Sequence, residues 1–249
     1  MGSSRFPGKP LEPLLGLPLV LHVFERCRLC PDLERVVIAT CDEEIRVAAR
    51  NHGAEVVMTA DSHPGCVDRT DETVALIGGY LSDDDLVLMV QGDEIMVSPA
   101  MLSAIARTFS ASDVPVVNLV SRIYKTEDHD DPNCVKAVGD PNGGALYFSR
   151  SAIPSRYRLE PGQPIPTYQQ TGIIGFSKAF IHRFGQLPRT PLEEIECIDM
   201  MRVIEHGLPV QLVHSEQETI GVDTPADAAR AEAMLLADPV TATYMDMPE

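Results

Sequence analysis

The sequence predicts an α/β fold with a mostly parallel sheet. Between residues 18 and 123, short β-branched runs alternate with helical stretches. The connecting loops are short, and the apolar runs are continuous rather than alternating, as strands covered on both faces require.

In order along the chain, "PLVLHVFERCRL" (18–29) places apolar groups at helical spacing, with Pro18 suited to a first turn. "RVVIAT" (35–40) reads as a buried strand, and "DEEIRVAARNHG" (42–53) as a helix capped by Asp42 and stopped by Gly53. "EVVMT" (55–59) is a strand, "DETVALIGGYL" (71–81) a helix and "DLVLMV" (85–90) a third strand. A helix over 98–109, opened by Ser98 and Pro99, precedes a strand over 114–123. The pattern then changes: "NCVKAVGDPNGGALYFS" reads as a hairpin turning at Asp140–Gly143. "IPSRYRLEPGQPIPTYQQ" is a proline-rich loop, long enough to be functional. A strand (172–177), helices (178–185 and 191–206), a strand (209–214) and a last helix (225–236) complete the reading. The domain expected is single over 1–236, with 237–249 as a loose acidic tail.

Composition excludes several functions. The chain has 249 residues, a net charge of −17 and a pI near 4.7, which repels nucleic acid and anionic membranes. No run reaches the ~18 apolar residues of a membrane span, and no secretory signal precedes the "LLGLPLVLHVF" run. The six cysteines are scattered. Cys27, Cys41, Cys134 and Cys197 sit in apolar stretches and read as small core residues, and the lone C-x-x-C of Cys27 and Cys30 lacks a second pair for zinc. The expected setting is cytoplasmic, with reduced thiols.

Chemistry concentrates at three places. "LVLMVQGDE" runs a buried strand directly into Gln91-Gly92-Asp93-Glu94, and ligands of open α/β sheets bind just beyond strand carboxyl ends. Asp93 there is either a Mg²⁺ ligand or a polar turn residue. Asp223, in "GVDTPADA", precedes Thr224 and Pro225 at the start of the last helix, and is either a second metal ligand or an ordinary helix-entry acid. The opening "MGSSRFPGKP" is rich in phosphate-loop residues, yet five residues separate Gly2 from Gly8 and Pro10 stands where a P-loop has Ser or Thr. No G-x-G-x-x-G occurs, so a dinucleotide-binding reading has no support. Together the loop and two acids suggest metal-assisted nucleotidyl transfer.

"GSSRFPGKPL", "VQGDE", "PNCVKAV", "ALYFSRSAIP", "PLEEIECIDMMR" and "GVDTPADA" occur in one family's order, and over nearly all of residues 2–236 the chain resembles the 3-deoxy-manno-octulosonate cytidylyltransferase (CMP-Kdo synthetase) family. The resemblance implies a nucleotide-diphospho-sugar-transferase fold, a Rossmann-like three-layer α/β sandwich. It also implies a homodimer and a Mg²⁺-dependent reaction of CTP with a small anionic sugar acid, giving a CMP-sugar and pyrophosphate. Residues 124–170 would serve the sugar site and dimer. Gly2, Ser3, Arg5, Pro7, Gly8 and Lys9 match the family's A-R-x-G-S-x-R-x-P-G-K loop, which makes Lys9 and Arg5 triphosphate-binding residues. By the same resemblance Asp68 and Arg69 lie near the nucleotide and Asp93 and Asp223 hold the metal. Gln91, Gln170, Ile174 and Glu196 line the sugar pocket.

The chain departs from the family at several points. "HPGCVDR" keeps His63, Asp68 and Arg69 but has Gly65-Cys66-Val67 where the family has hydroxyl groups. "QTGIIGF" has Gln170 for a histidine and Ile174 for a tyrosine, which opens the acceptor to a relative of the usual octulosonate, a nonulosonate or a phosphonate. Ile95 replaces a proline after "QGDE". In the family a hydrophobic strand ending in Pro-Ala-Arg precedes the loop, so Met1 is expected to be an internal methionine of a longer natural chain. A non-catalytic nucleotide-binding homologue is the alternative from another functional class.

Overall fold

The computed structural model describes residues 6–158, 163, 167–222 and 224–246. It begins with Gly8 in the left-handed region (φ 79°), a backbone that suits glycine, as the cap of a 3-10 turn over Lys9–Leu11. An antiparallel hairpin follows, β1 (Pro13–Leu14) and β2 (Leu17–Pro18). Both turn residues have positive φ, 50° at Leu15 and 85° at Gly16, as in type I′ turns that normally carry Asn-Gly. Leucine in this region costs roughly 1–2 kcal/mol, so contacts from outside the turn must hold it.

Next come α1 (Leu19–Arg28), β3 (Ile38–Thr40), α2 (Glu43–Asn51) and β4 (Val56–Met58), inside their predicted spans. Asp42 is the α2 N-cap residue, although its side chain makes no capping bond, and Gly53 has φ 87°. Helix α3 (Cys66–Ile77) begins at Cys66 rather than Asp71. Gly65 is extended, and the first turn is tied by Arg69 N to Gly65 O at 3.3 Å and Thr70 Oγ1 to Cys66 O at 2.9 Å. The acidic residues at 71 and 72, read as a helix start, therefore lie in its second turn.

The chain continues through β5 (Leu86–Val90), α4 (Pro99–Ser110), β6 (Val116–Arg122) and a short α5 (Thr126–Asp130). The expected hairpin forms as β7 (Lys136–Gly139) and β8 (Ala145–Ser149), with Asp140 Oδ1 accepting from Asn142 N and Gly144 N in its turn. Strand β9 (Tyr168–Ser177) starts earlier than residue 172 because its first residues pair with β6 and β7. After α6 (Lys178–Gln186), the helix predicted over 191–206 is two: α7 (Pro191–Glu196) and α8 (Asp199–Glu205). Cys197, at φ 53°, ends the first, and it is exposed rather than a core residue. Tertiary bonds make this break. The Glu205 carboxylate accepts from Leu192 N and Glu193 N, and buried Glu193 pairs with buried Arg202. Strand β10 (Gln211–Ser215) and α9 (Pro225–Ala237) follow, and a 3-10 turn spans Thr241–Thr243.

The chain divides into two compact units. One contains Met1–Tyr80, Val90–Ser103 and Thr219–Glu249. In it β3 and β4 pair in parallel, and Val20, Leu21 and Phe24 of α1 form a core with Ile38, Ile45, Ala49 and Ala54. The other contains Leu81–Met89 and Ala104–Glu218. Its strands lie in the order β10-β6-β9-β7-β8, and β5 also pairs with β9. The α/β class is as predicted, but this sheet is mixed: β10 and β6 are parallel, while β9 runs antiparallel to both β6 and β7. No helix among the described residues is long and apolar enough to cross a membrane.

The C-terminal residues are not a loose tail. Arg26, fully buried, donates to Asp238 Oδ2 at 2.5 Å and Thr241 Oγ1 at 3.4 Å, and Tyr244 Oη lies 2.8 Å from His22 Nδ1. These bonds supply the partners that buried Arg26 and His22 require, which composition alone does not reveal. Residues 247–249 lie outside the described residues.

Glu193 accepts from Arg202 Nε at 2.8 Å and also from its Nη2, and the guanidinium sits 4.2 Å from the Phe184 ring centroid. Glu193→Ala removes the carboxylate that faces this buried cation, and should cost about 3–5 kcal/mol, read as a lower urea midpoint at unchanged slope. Burial pushes His22 below its ordinary value, helped by the Arg26 charge and opposed by the Leu14 and Leu17 carbonyls and Glu232. Burial also lowers His214, opposed by Glu216. Both histidines bind protons more weakly folded than unfolded, so their contribution to stability is present above about pH 6.5 and lost as pH falls through the folded values. Melting scans across that window should show this decline, and His22→Gln, which has no proton to gain, should make it shallower.

Candidate active site

The end of β5 leads into a tight turn: Glu94 N bonds Gln91 O at 3.1 Å, and Val97 N bonds Glu94 O at 3.0 Å. Glu94 is buried and forms an antiparallel bridge with Gly221. Ile95, the residue in the proline position, is fully buried, so an apolar side chain suits it. Asp93 is thereby held at the strand end, and its Oδ2 lies 2.7 Å from Lys9 Nζ. The pair is partly shielded, at 13% and 26% side-chain exposure, which keeps it from being fully screened by water. The Lys9 turn is closed by Leu11 N to Gly8 O at 2.9 Å and Glu12 N to Lys9 O at 3.0 Å. The structure thus joins the predicted phosphate-loop lysine and the predicted metal-binding carboxylate, residues 84 positions apart.

Gly2, Ser3, Arg5 and Asp223 lie outside the described residues. Thr224 caps α9 as expected: its Oγ1 accepts from Asp227 N at 3.2 Å, and Asp227 Oδ2 accepts from Thr224 N at 2.9 Å. Gln91 is half-buried at the start of the turn. Asp68 and Arg69 lie on the first turn of α3, not in a loop. Arg69 Nη1 reaches back to Thr59 Oγ1 and to Ala60 O at 3.1 Å. Glu72, which sequence reading passed over, accepts from His63 and from Ala60 N, and these bonds hold its carboxyl below the usual carboxylate range. Two α3 side chains therefore fix the segment between β4 and the helix.

The predicted sugar-side residues Gln170, Ile174 and Glu196 belong to the other unit. Gln170 and Ile174 flank the irregular stretch of β9, opposite Val120 and Asn118 of β6, and Ile174 is buried. Asn118 sets the orientation of Gln170. The β6–β9 register shifts between Asn118 and Val120, and the Asn118 amide nitrogen fills that irregularity by donating to Leu119 O at 3.0 Å, Thr171 O at 3.1 Å and Ile173 O at 3.3 Å. Carbonyls only accept, so Asn118 Oδ1 is left to receive Gln170 Nε2 at 2.7 Å. Gln170 thus spends an amide proton on Asn118, which fixes which way its side-chain carbonyl oxygen faces.

Glu196 accepts from Ser149 Oγ at 2.8 Å and Arg150 N at 2.9 Å. Behind this lies Lys136, fully buried, whose ammonium donates to Asp131 O at 2.7 Å, Cys134 O at 2.5 Å and Arg150 O at 2.8 Å. Lys136 and Asn118 were missed as functional residues. The signal for each is a polar side chain inside an apolar strand, "CVKAV" and "VVNLV".

No cluster of three or more His, Cys, Asp or Glu side chains among the described residues forms a cation site unaided. Asp93 nonetheless fits Mg²⁺, which takes hard oxygen donors and is commonly held by one or two carboxylates together with substrate phosphates.

Known proteins resemble this chain over nearly its whole length. The family model described as "Cytidylyltransferase" matches residues 1–219. The 8-amino-3,8-dideoxy-manno-octulosonate cytidylyltransferase of Shewanella sp. (strain W3-18-1) is 37% identical over 238 residues, covering 95% of each chain. The corresponding protein of Shewanella frigidimarina is 36% identical over 239 residues, covering 95% of this chain and 96% of that one. A solved CMP:2-keto-3-deoxy-manno-octonic acid synthetase complexed with CTP superposes with a TM-score of 0.85 at 29% identity, over 95% of both chains. A Bacillus anthracis protein assigned as a glucose-1-phosphate thymidylyltransferase, 16% identical with a TM-score of 0.65 over 100% of this chain and 94% of that one, shares the fold.

Lys136→Met keeps the stem but removes the donor that the Asp131, Cys134 and Arg150 carbonyls share, although Asp131 O retains Cys134 N at 3.2 Å. It should lower stability by about 1–3 kcal/mol, measured by urea unfolding. Asn118→Leu removes the amide donor from the Thr171 and Ile173 carbonyls, while Leu119 O keeps Thr171 Oγ1 at 2.8 Å, and it frees the Gln170 amide to turn. It should therefore raise the KM for the acceptor more than that for CTP.

Proposed function

Because the chain belongs to the cytidylyltransferase family, we propose that it transfers CMP from CTP to an octulosonate, a 2-keto sugar acid, with release of pyrophosphate and dependence on Mg²⁺. The contact between Lys9 and Asp93 carries this reading, since it unites a phosphate-loop cation with a strand-end carboxylate. Lys9, with Arg5 and the backbone N–H groups of the loop, binds the triphosphate. Asp68 and Arg69 lie on the nucleotide side, and Gln91 faces the sugar. Asp93 and Asp223 hold Mg²⁺, which when bound neutralises phosphate charge and lowers the pKa of the acceptor hydroxyl. The acceptor oxygen bonds to the α-phosphorus, the bond from that phosphorus to the bridging oxygen of the β-phosphate breaks, and pyrophosphate leaves as the hydroxyl proton is lost. The six free cysteines suit a cytoplasmic setting.

Gln170 favours a particular acceptor. The relatives' names specify an octulosonate with an amine at C8, and a protonated amine donates a charge-assisted bond to an amide oxygen. We place 8-amino-3,8-dideoxy-manno-octulosonate ahead of the 8-hydroxy sugar on this ground.

Pyrophosphate release with CTP, Mg²⁺ and a panel of the amino sugar, the hydroxy sugar, a nonulosonate and a phosphonate tests both statements. Asp93→Asn should lower kcat/KM by about 10²–10³-fold. Turnover of no acceptor, or an Asp93→Asn chain as active as the parent, ends the catalytic reading. A higher kcat/KM for the hydroxy sugar ends the preference for the amine.

A further inference from the structure

The peptide group joining Leu14 to Leu15 is gripped at both of its polar atoms. Its carbonyl oxygen lies 2.8 Å from His22 Nε2, and its N–H donates to Glu232 Oε1 at 2.7 Å. A carbonyl only accepts, so neutral His22 carries its proton on Nε2, and its Nδ1 accepts from the Tyr244 hydroxyl at 2.8 Å. One turn along α1, Arg26 donates to Val97 O at 2.5 Å, in the loop after Asp93, and to Asp238 and Thr241. Residues 232–244 therefore hold the hairpin that follows Lys9 and, through Arg26, the loop that follows Asp93.

The grip matters because the orientation of this peptide group sets φ at Leu15. Leucine does not favour the left-handed region by itself, and the position would normally be Asn or Gly. Strain travels little here, since the turn is continuous with the Lys9 segment: Glu12 N bonds Lys9 O at 3.0 Å, and Leu19 N bonds Glu12 O at 2.9 Å across the hairpin base. A strained turn held by two remote side chains, next to a ligand-binding lysine, is the arrangement by which a fold preorganises a loop.

We propose that the C-terminal segment from Glu232 to Tyr244 positions the nucleotide loop, and that Glu232 is a positioning residue that keeps Lys9 directed at the triphosphate. This rests on the reading of Lys9 as a triphosphate ligand. Glu232 touches no reacting atom and acts through the 14–15 peptide.

The test uses the full chain with CTP, Mg²⁺ and the best acceptor. Glu232→Ala should raise the KM for CTP about tenfold, leaving kcat, the acceptor KM and the melting temperature close to the parent's. Glu232→Gln keeps an oxygen acceptor and should retain the parent KM. In the Glu232→Ala chain, adding Leu15→Asn, which tolerates positive φ, should restore most of the loss. An unchanged CTP KM in Glu232→Ala, an equal rise in both KM values, or no rescue by Leu15→Asn overturns the proposal. Lys9→Ala separates the two readings. If it raises the CTP KM while Glu232→Ala does not, positioning alone fails; if it leaves the CTP KM unchanged, the assignment of Lys9 fails.

Discussion

The contact between Lys9 and Asp93 ties the Lys9 turn to the end of β5. A lysine on a short 3-10 turn and a carboxylate at a strand end meet only if both backbones are held, because neither side chain is rigid by itself. The turn is held by Gly8 and by the hairpin after it, and the strand end by the tight turn at Glu94 and its bridge to Gly221. Burial of Ile95 and Val97 adds the apolar anchor that keeps this turn from moving with its charged residues. The charge pair thus stands on an uncharged scaffold, which is how a site keeps polar groups exposed to a ligand while their supports stay dry.

The unit that contains β6 and β9 meets a different problem in the same way. Its sheet is irregular where β6 meets β9, and irregular ladders leave carbonyls without partners. Asn118 satisfies them and, having used its donors, presents a single acceptor that orients Gln170. Lys136 likewise uses its three protons on backbone carbonyls, including that of Arg150, whose N–H holds Glu196. In both cases a buried polar residue is fully satisfied and passes a fixed direction to the group in front of it. Fully satisfied networks of this kind specify one geometry, and half-satisfied ones do not.

Much of this was legible beforehand. The β-branched runs at 35–40, 55–59, 85–90 and 114–123 became β3, β4, β5 and β6, because continuous apolarity over a few residues has few alternatives to a covered strand. Asp93 and Lys9 stood out by residue type and by position at a strand end or glycine turn. Elsewhere a distant partner decides the local structure. Cys197 breaks a helix that periodicity runs through, since the bonds of Glu193 to Arg202 and of Glu205 to the α7 backbone favour two helices. The residues after Ala237 look like a solvated acidic end until Arg26 and His22 are seen to need them.

By itself the sequence determined the α/β class, the cytidylyltransferase family motifs and the identity of the charged residues at the strand-end site. These depend on local patterning and on residue chemistry, which a chain carries without reference to its neighbours. Only the tertiary structure decided which polar groups meet. The Lys9–Asp93 pair, the Asn118–Gln170 relay and the Leu14–Leu15 peptide held by His22 and Glu232 all join residues far apart in sequence. Hydrogen bonds are short and directional, so their partners are known only once the backbone has placed donor and acceptor within reach of each other.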